Sequence, residues 1–328
     1  MLPRSPRAVA LLAVLCLTTL GLTAPSDAKP ARDPRQTQGL YVDSKMPAHQ
    51  QGGVYRDRIG KFSQAFWVIP EAYGTDYVRD KVREYTGDAR SAQKTPVLTV
   101  YGIPGRDCGM YSSGNPLSSA DQYRAWIRQV AAGLRGTKAL VVLEPDALPL
   151  FSSPVNACPT KPAGWQGMLR FAAKWLSRSG AWVYLDAGHS HWTPYDTRPR
   201  YLKASGVQFA RGISTNVSNF RPTADEKRYA TTLLAGLRKL GIKGKRYVID
   251  TSRNGAAPSD DRVINPTWAR LGKRPKLVFK GAFDGTLWVK HPGESDGYEN
   301  NGNSSGQWCD MLADRLLQGS SDQTSCPG

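Results

Sequence analysis

Short apolar runs recur along this chain, with amphipathic segments between them. Several runs are rich in valine and aromatic residues and are too short for most helices, so they predict β-strands. Strands that alternate with helices favour a parallel sheet, because parallel neighbours need a crossover connection. Such a sheet is either open and doubly wound or closed into a barrel. The seven predicted strands are Ala65–Ile69, Pro96–Tyr101, Ala139–Leu143, Ala181–Leu185, Gly212–Thr215, Tyr247–Ile249 and Thr286–Val289.

The segments between these runs predict the helices. Ser119 and Gln122 have the spacing of a capping box, which marks a helix start. Apolar residues between Tyr123 and Leu134 then recur on one helical face. Two further helices are predicted, over 166–178 and 226–240.

Polar side chains follow every predicted strand except the first. Asp and Asn often cap the next helix or turn, so any one of them alone has a structural explanation. Capping is a weaker explanation for polar residues at six strand ends in succession. In barrels, the catalytic residues lie at the carboxyl ends of the strands. The chain therefore predicts a site at the carboxyl ends of the strands, built from Asp107, Glu144, Asp146, Asp186, Asn216, Asp250, Lys290, Glu294 and Asp296.

The first 28 residues have the pattern of a secretory signal peptide. Arg4 and Arg7 form a basic start, and the apolar stretch 8–22 is too short for a comfortable membrane span. We therefore expect a secreted, extracellular protein that does not associate with a membrane. We further expect a disordered leader over 29–40, which is polar and contains proline, and a single catalytic domain over 41–328.

Four cysteines follow the expected signal peptide, and an even number in an oxidising compartment predicts two disulfides. Three pairings are possible, and order along the chain favours Cys108 with Cys158 and Cys309 with Cys326. No pair has the CxxC spacing of a zinc site, so we expect no metal and no cofactor.

The formal net charge is +17. Such a charge can hold a secreted protein on anionic polymers, and it can also indicate nucleic-acid binding. The Lys and Arg residues are scattered, without a dense cluster or a nucleic-acid-binding motif. A solvated basic surface is therefore favoured, and no nucleic-acid partner is expected.

Carboxylates combined with aromatic side chains indicate a polysaccharide hydrolase. The chain has no GxSxG motif and no phosphate-binding loop. Glycoside hydrolysis needs one carboxylic acid to protonate the glycosidic oxygen and a second group that assists water or attacks directly. Sugar rings have apolar faces, which tryptophan side chains can bind. Trp67, Trp192, Trp268 and Trp288 lie at or near strand ends or in loops, whereas Trp126, Trp175 and Trp182 fit the core.

The chain resembles glycoside hydrolase family 6, the inverting cellulases. The resemblance is carried, in order, by "VYGIPGRDCGMYSSG" (100–114), "VVLEPDALP" (141–149), "VYLDAGHSHW" (183–192), "GISTNVSNF" (212–220), "VIDTSRNG" (248–255) and "LWVKHPGESDG" (287–297). It implies an α/β fold, a distorted and partly open (β/α) barrel with about seven parallel strands. It also implies a β-1,4-glucan as the substrate.

The resemblance implies roles for five catalytic residues. Asp146 matches the general acid. Asp107 matches the neighbour whose charge keeps that acid protonated and which can also end the proton path from water. Ser113 matches the serine that holds a water on the proton path, and Tyr101 the residue that helps to distort the sugar. Asp296 matches the carboxylate proposed as the base. Glu144 is expected to be a hydrogen-bonded structural carboxylate.

Further positions match residues that line the family's cleft. Sugar-contacting or charge-tuning positions correspond to Asp186, Asn216, Lys290 and Glu294. His189 and Trp192 match the product side, and Trp268 matches an aromatic platform on the other side. Trp67 is expected to be a further aromatic contact.

Two connections bear on the mode of action. Residues 193–213 and 256–286 are short for members that enclose the cleft in a tunnel, so we expect an open groove and cleavage of internal bonds. The alternatives are a cellobiohydrolase that acts at chain ends and a binding protein that has lost activity. We expect a monomer whose only partner is the glucan.

Overall fold

The computed structural model describes residues 1, 35, 39–155, 158–318 and 323–327. The expected signal peptide (1–28) and most of the expected leader (29–40) therefore lie outside the described residues. Gly39 and Leu40, at the end of that leader, pair with Thr95 beside the second strand.

Eight strands form one sheet in the order β1-β2-β3-β4-β5-β6-β8-β7. Neighbouring strands are parallel except β7 and β8, which are antiparallel. The seven predicted strands are confirmed, although the last begins three residues earlier than expected. The strands are β1 Phe66–Val68, β2 Val97–Val100, β3 Leu140–Leu143, β4 Trp182–Asp186, β5 Gly212–Thr215, β6 Arg246–Asp250, β7 Lys276–Lys280 and β8 Phe283–Leu287.

The sheet curls so that its first and last parallel strands meet. The backbone N–H of Ala65 donates to the carbonyl of Trp288 at 3.0 Å, and the Trp67 indole donates to the carbonyl of Val289 at 2.8 Å. Within the described residues no strand ladder joins β1 to β8. The predicted fold, a distorted and partly open (β/α) barrel, is confirmed.

Helices lie in every connection between parallel strands except that from β6 to β8, which contains β7, and all three predicted helices are present. The capping box of Ser119 and Gln122 closes in both directions. Two 3₁₀ turns, Arg106–Gly109 and Glu299–Asn301, lie in the loops, and a π-helical turn covers Arg56–Gly60. The helices are α1 Pro47–Gln50, α2 Gly53–Tyr55, α3 Val78–Ser91, α4 Ala120–Leu134, α5 Ala147–Ser152, α6 Trp165–Arg178, α7 Arg198–Ala204, α8 Thr223–Lys239 and α9 Asp310–Leu317.

Strand residues alternate between an interior and an exterior layer, as the two-residue period of a strand requires. In β4, Val183 and Leu185 belong to the large cluster that includes the helices, whereas Tyr184 packs with Val142 and Val248 inside the barrel. Trp182 and Asp186 are each two residues from Tyr184, so their side chains are on the same, interior face of the strand. They therefore lie at opposite ends of the barrel interior.

Strand β7 was not predicted from the sequence. Its lysines, Lys276 and Lys280, are exposed, and only Leu277 and Phe279 are partly buried. A lysine-bearing strand is typical of a sheet edge, where charge discourages pairing with other chains.

Both predicted disulfides are confirmed. Cys108 is bonded to Cys158 with 5.0 Å between the Cα atoms, and Cys309 is bonded to Cys326 with 5.4 Å between them. The first bridge ties the segment after β2 to the segment before α6. The second ties the start of α9 to the described end of the chain.

Candidate active site

Asp146 lies just past the end of β3, at the mouth of the barrel. Its φ of 62° places a non-glycine residue in the left-handed region, a conformation that costs energy and is often found at functional sites. Its backbone N–H donates to Oδ2 of Asp186 at 2.9 Å. Its own Oδ1 is buried, and no described residue donates a hydrogen bond to it.

The surroundings of Asp146 favour the protonated carboxyl group. Burial raises its pKa well above the ordinary value, and the charges of Asp186 and Asp107 raise it further. Asp186 is itself buried, but it accepts hydrogen bonds from Gly188 N–H at 3.1 Å and from the Ser214 hydroxyl at 3.3 Å. Burial raises the pKa of Asp186 to about 7, although these donors stabilise its carboxylate. No described residue donates to Oδ1 of Asp146, so Asp146 is the more readily protonated member of the pair.

Glu144 lies two residues before Asp146 and has a different environment. Its carboxylate accepts hydrogen bonds from the backbone N–H of Gly102 at 3.0 Å, the N–H of Ile103 at 3.0 Å and the Tyr123 hydroxyl at 2.8 Å. Burial raises the pKa of Glu144 to about 7, although the three hydrogen bonds favour its charged form and lower the pKa. This geometry agrees with a structural carboxylate that holds the turn after β2.

Asp107 lies in the 3₁₀ turn that follows β2. Its carboxylate accepts the N–H of Ser112 at 2.6 Å, and burial raises its pKa. The turn is fixed by the Cys108–Cys158 disulfide and by close packing at Gly105, where a Cβ atom would lie 1.9 Å from the carbonyl oxygen of Thr160. Gly105 also has a φ of 70°, so glycine is required there on both counts.

Arg106 organises this segment, although the sequence did not single it out. Its guanidinium is buried and donates to the carbonyls of Tyr101 at 2.7 Å and Ser112 at 2.8 Å. It also pairs with Glu71 and lies 4.5 Å above the Tyr101 ring. The sequence contains 44 Lys and Arg residues, and no local pattern distinguishes Arg106 from the others.

Tyr101 lies beside the acids at the end of β2. It is 5% exposed, and its ring meets Trp67 edge-on with 5.6 Å between the centroids. Burial raises its pKa well above the ordinary value, and the charges of Asp107 and Asp146 add to that effect. The phenol therefore stays neutral and can donate a hydrogen bond at the centre of the site.

Asp296 lies in the loop after β8 and is held by two cations. Arg253 Nη1 is 2.6 Å from its carboxylate and Lys290 Nζ is 3.3 Å away, and the backbone N–H of Asn265 also donates to it. Burial opposes ionisation, but the two cations outweigh it and hold the pKa of Asp296 below its ordinary value. A carboxylate held in this way is a weak base. Sequence reasoning missed Arg253.

Ser113 lies in the same segment as Asp107. Its backbone N–H donates to the carbonyl of Met110 at 3.2 Å, while Ser112 supplies the backbone contact to Asp107. The segment also touches the loop after β8: Tyr111 pairs with Glu299, and the hydroxyls of Ser112 and Ser305 are 3.2 Å apart.

His189 and Trp192 lie together in the loop after β4, with 5.2 Å between the ring centroids. Burial lowers the pKa of His189 to about 3, and the positive charge of Arg221 contributes to this shift. The imidazole is therefore neutral at ordinary pH. The position of both rings on the product side of the cleft stays a prediction.

A buried polar cluster behind this loop was not predicted. Glu226, in the first turn of α8, accepts the backbone N–H of Ser190 at 2.8 Å. Arg198 donates to the carbonyls of Ala187 at 3.2 Å and Trp192 at 3.1 Å, and to the Tyr229 hydroxyl at 2.7 Å. The cluster fixes the backbone that carries His189 and Trp192.

The remaining predicted site residues lie around the same mouth but are held by protein groups. The Asn216 amide bonds to the carbonyl of Asp250 at 2.8 Å and to the N–H of Arg221 at 2.9 Å. Glu294 is paired with His291 at 2.7 Å. Trp268 is half-buried, and its indole donates to Asp260 at 2.8 Å. Direct sugar contact by these residues stays a prediction.

Comparison with known proteins supplies the family. A family model described as "Glycosyl hydrolases family 6" matches residues 40–319, nearly all of the chain. The chain belongs to this family.

Individual relatives agree with that assignment. The family 6 chain is 40% identical over 288 residues to "Endoglucanase A" of Cellulomonas fimi, covering 85% of this chain and 61% of that protein. It is 31% identical over 325 residues to "Endoglucanase 1" of Streptomyces halstedii, covering 94% of this chain and 98% of that protein. The chain thus spans about three fifths of the first relative and nearly all of the second.

A solved structure agrees with the fold in detail. The endoglucanase Cel6 from Mycobacterium tuberculosis, in complex with methyl-cellobiosyl-4-deoxy-4-thio-β-D-cellobioside, matches with a TM-score of 0.79 and 35% identity, over 86% of this chain and 97% of that one. Across the described residues, no group of three or more His, Cys, Asp or Glu side chains could hold a metal ion. No helix in the same part of the chain is long and apolar enough to cross a membrane.

Proposed function

We propose that this family 6 protein is a secreted endo-β-1,4-glucanase that hydrolyses internal bonds of cellulose-type glucans, with Asp146 as the general acid. The observation that carries the proposal is the buried position of Asp146 beside Asp186, whose carboxylate accepts the Asp146 N–H at 2.9 Å. Burial and the charges of Asp186 and Asp107 raise the pKa of Asp146, which favours the protonated carboxyl group. A polysaccharide-binding protein without activity would need no such proton donor. The endoglucanase names of the relatives support the same substrate class.

The proposed reaction is a single displacement. Asp146 gives its proton to the glycosidic oxygen, and the bond from that oxygen to the anomeric carbon breaks. A water oxygen bonds to the anomeric carbon from the opposite face and loses a proton. Asp107 is the better acceptor for that proton, directly or through a water near Ser113, because burial raises its pKa. Asp296 is the poorer acceptor, because Arg253 and Lys290 stabilise its charged form.

The decisive test of the acid is Asp146→Asn. We expect turnover on unactivated glucan to fall by about 10²–10⁴-fold, the usual value of general acid catalysis, while binding of cellotetraose is retained. The matched control is Asp121→Asn, which changes an exposed carboxylate on α4. Near-normal turnover in the Asp146 variant would overturn the proposal.

Cleavage of internal bonds is the proposed mode of action, and action at chain ends is the second candidate. The second candidate is favoured by the contacts of Tyr111 with Glu299 and of Ser112 with Ser305, which join two loops near the site. Both contacts are exposed, so a passing chain can separate them. Viscosity and reducing ends should be followed together on a soluble glucan. Early loss of viscosity is expected, and release of cellobiose without that loss would favour the chain-end enzyme.

The remaining parts of the proposal concern the whole protein. We place the catalytic domain at residues 41–328, secreted after removal of the first 28 residues and acting as a monomer. Amino-terminal sequencing of the secreted protein would test the cleavage site, and light scattering of the same sample would test the monomer.

A further inference from the structure

A second concave site lies at the opposite end of the barrel from the acids. It is a cavity of about 430 Å³ at the amino-terminal ends of β4, β5 and β6, where its lining includes Trp182, Arg211 and Arg246. Trp182 begins β4 and Asp186 ends it, so four residue steps separate the two ends. At about 3.3 Å a step, this is roughly 13 Å along the strand. A ligand in the cavity would therefore not touch the acid pair.

The lining of this cavity is strongly cationic. Four cations line it, Arg35, Arg211, Lys245 and Arg246, and none of the described lining residues is a carboxylate. Among the described residues, Asp284 compensates part of this charge: it is fully buried and lies 2.5 Å from Arg211 and 3.5 Å from Arg246. This one carboxylate leaves Arg211, Lys245 and Arg246 together with a net positive charge at the cavity.

Lys245 contributes most directly to this excess. Its ammonium donates to the carbonyls of Gln208 at 3.0 Å and Ala210 at 2.5 Å, which neutralise no charge. Burial lowers its pKa, as expected for a cation without an adjacent carboxylate. An anionic group bound in the cavity would offset the free-energy cost of burying the charged Lys245 side chain.

The aromatic side chains of the cavity limit what can bind. Arg211 lies 3.4 Å from the centroid of the Trp182 ring and Arg35 lies 3.7 Å from it. Two guanidinium groups this close to one ring must occupy opposite faces, so no ligand can stack on Trp182. Phe209 also lines the cavity, and it is 40% exposed. A single available ring fits one sugar face and not the series of stacked bases that single-stranded nucleic acids use.

We propose that this cavity binds one acidic sugar unit of a polysaccharide, such as a hexuronate. Arg246 and Lys245 bind its carboxylate, and Phe209 contacts the apolar face of its ring. Guanidinium groups match carboxylates in shape as well as charge. The site would hold the protein on acidic polysaccharide while the other end of the barrel stays open to glucan. It is independent of the proposed glucanase activity.

The test is affinity electrophoresis in polygalacturonate, with neutral hydroxyethylcellulose as the comparison gel. The informative variant is Lys245→Gln/Arg246→Gln. The matched control is Arg83→Gln/Arg90→Gln, which removes the same charge from the exposed face of α3. We expect the first variant to bind polygalacturonate about tenfold or more weakly, as the loss of charge-assisted hydrogen bonds predicts. The control should change less than about twofold, since it loses only distant charge.

Two further measurements separate the alternatives. Phe209→Ala should weaken polygalacturonate binding without affecting inorganic polyphosphate, and cellotetraose hydrolysis should be unchanged in every variant. An equal loss in the control variant would mean that diffuse charge alone binds the polymer. Tighter binding of polyphosphate or single-stranded DNA through Lys245 and Arg246 would show that the ligand class is wrong. If polygalacturonate in the gel does not retard the parent protein, the proposed binding site is also wrong.

Discussion

The backbone N–H of Asp146 donates a hydrogen bond to the carboxylate of Asp186 across 2.9 Å. The bond joins the ends of two neighbouring strands, β3 and β4, which brings a second carboxylate against the proposed acid. Sequence comparison assigned the charge that keeps Asp146 protonated to Asp107. In the structure Asp186 raises the pKa of Asp146 more than Asp107 does. Asp107 keeps its other proposed role, which is to accept a proton from the attacking water.

The first prediction concerns the pH profile of Asp186→Asn. Removing a neighbouring negative charge makes ionisation of Asp146 easier, so the pKa of Asp146 falls. The acid is active only while protonated, so the alkaline limb of kcat should move to lower pH, by about one unit or more. The measurement is kcat against pH on a soluble glucan, with Asp121→Asn as the control. An unchanged alkaline limb would show that the charge of Asp186 does not control the acid.

The second prediction concerns Arg253→Gln, which removes the closest cation from Asp296. The Arg253 side chain is 4% exposed and that of Asp296 is 11% exposed, and the variant leaves Lys290 beside the carboxylate. Breaking this largely buried ion pair should lower the free energy of unfolding by about 3 kcal/mol. The pKa of Asp296 is depressed in the folded state, so this stabilisation is present above the unfolded pKa and is lost as pH falls through the folded pKa. The difference between parent and variant should therefore shrink in acid.

Urea unfolding at neutral pH and below pH 3 measures that difference. The matched control is Arg262→Gln, whose ion pair with Asp260 is exposed and is expected to contribute no more than about 1 kcal/mol. Equal stability losses in the two variants would contradict a buried, charge-dependent pair at Asp296.

The third prediction concerns Glu226, which holds the loop of His189 and Trp192 through the Ser190 N–H. Glu226→Leu removes the acceptor and should loosen the predicted product side. We expect KM to rise several-fold with a smaller change in kcat, because the acid pair is held by other bonds. Glu226→Gln keeps an acceptor and should restore KM. If both variants lose kcat and keep KM, Glu226 does not act by positioning this loop.

Much of the fold could be predicted from the sequence, because the patterns that indicate its strands and strand-end carboxylates are local. The parallel strands are short runs of aliphatic residues, and Asp146 and Asp186 stand directly after two of them. Strand β7 gave a weaker signal, because Lys276 and Lys280 interrupt its apolar alternation. Helix α3 was also missed, since its buried residues are spread among many charged ones.

The partners of the acids could not be predicted, because they are distant in sequence. Arg253 reaches Asp296 across 43 positions, and Glu226 reaches Ser190 across 36. No local pattern distinguishes such residues among many charged side chains. The fold also decides which carboxylate is used: Glu144 and Asp146 are two residues apart, yet three donors surround the first and none of the described residues donates to Oδ1 of the second.

The last prediction concerns the configuration of the product. A retaining enzyme needs a carboxylate nucleophile about 5–5.5 Å from the acid, whereas an inverting one leaves about 6.5–9.5 Å for a water. Glu144 cannot serve as the nucleophile, because its oxygens are held by Gly102, Ile103 and Tyr123. Asp296 is a poor one, because two cations stabilise its charge. We therefore expect a water activated near Asp107 to be the attacking group and the anomeric carbon to invert.

Proton NMR of a fresh cellopentaose digest should therefore show the α-anomer first, with the β-anomer growing in by mutarotation. The Asp121→Asn protein is the control, since it should give the same order of appearance at the same rate. Added methanol should yield no methyl glycoside, because no glycosyl-enzyme forms to be intercepted. Early β-anomer, or transfer to methanol, would mean that a side chain attacks the sugar, and the assignment of Asp107 as proton acceptor would then be wrong.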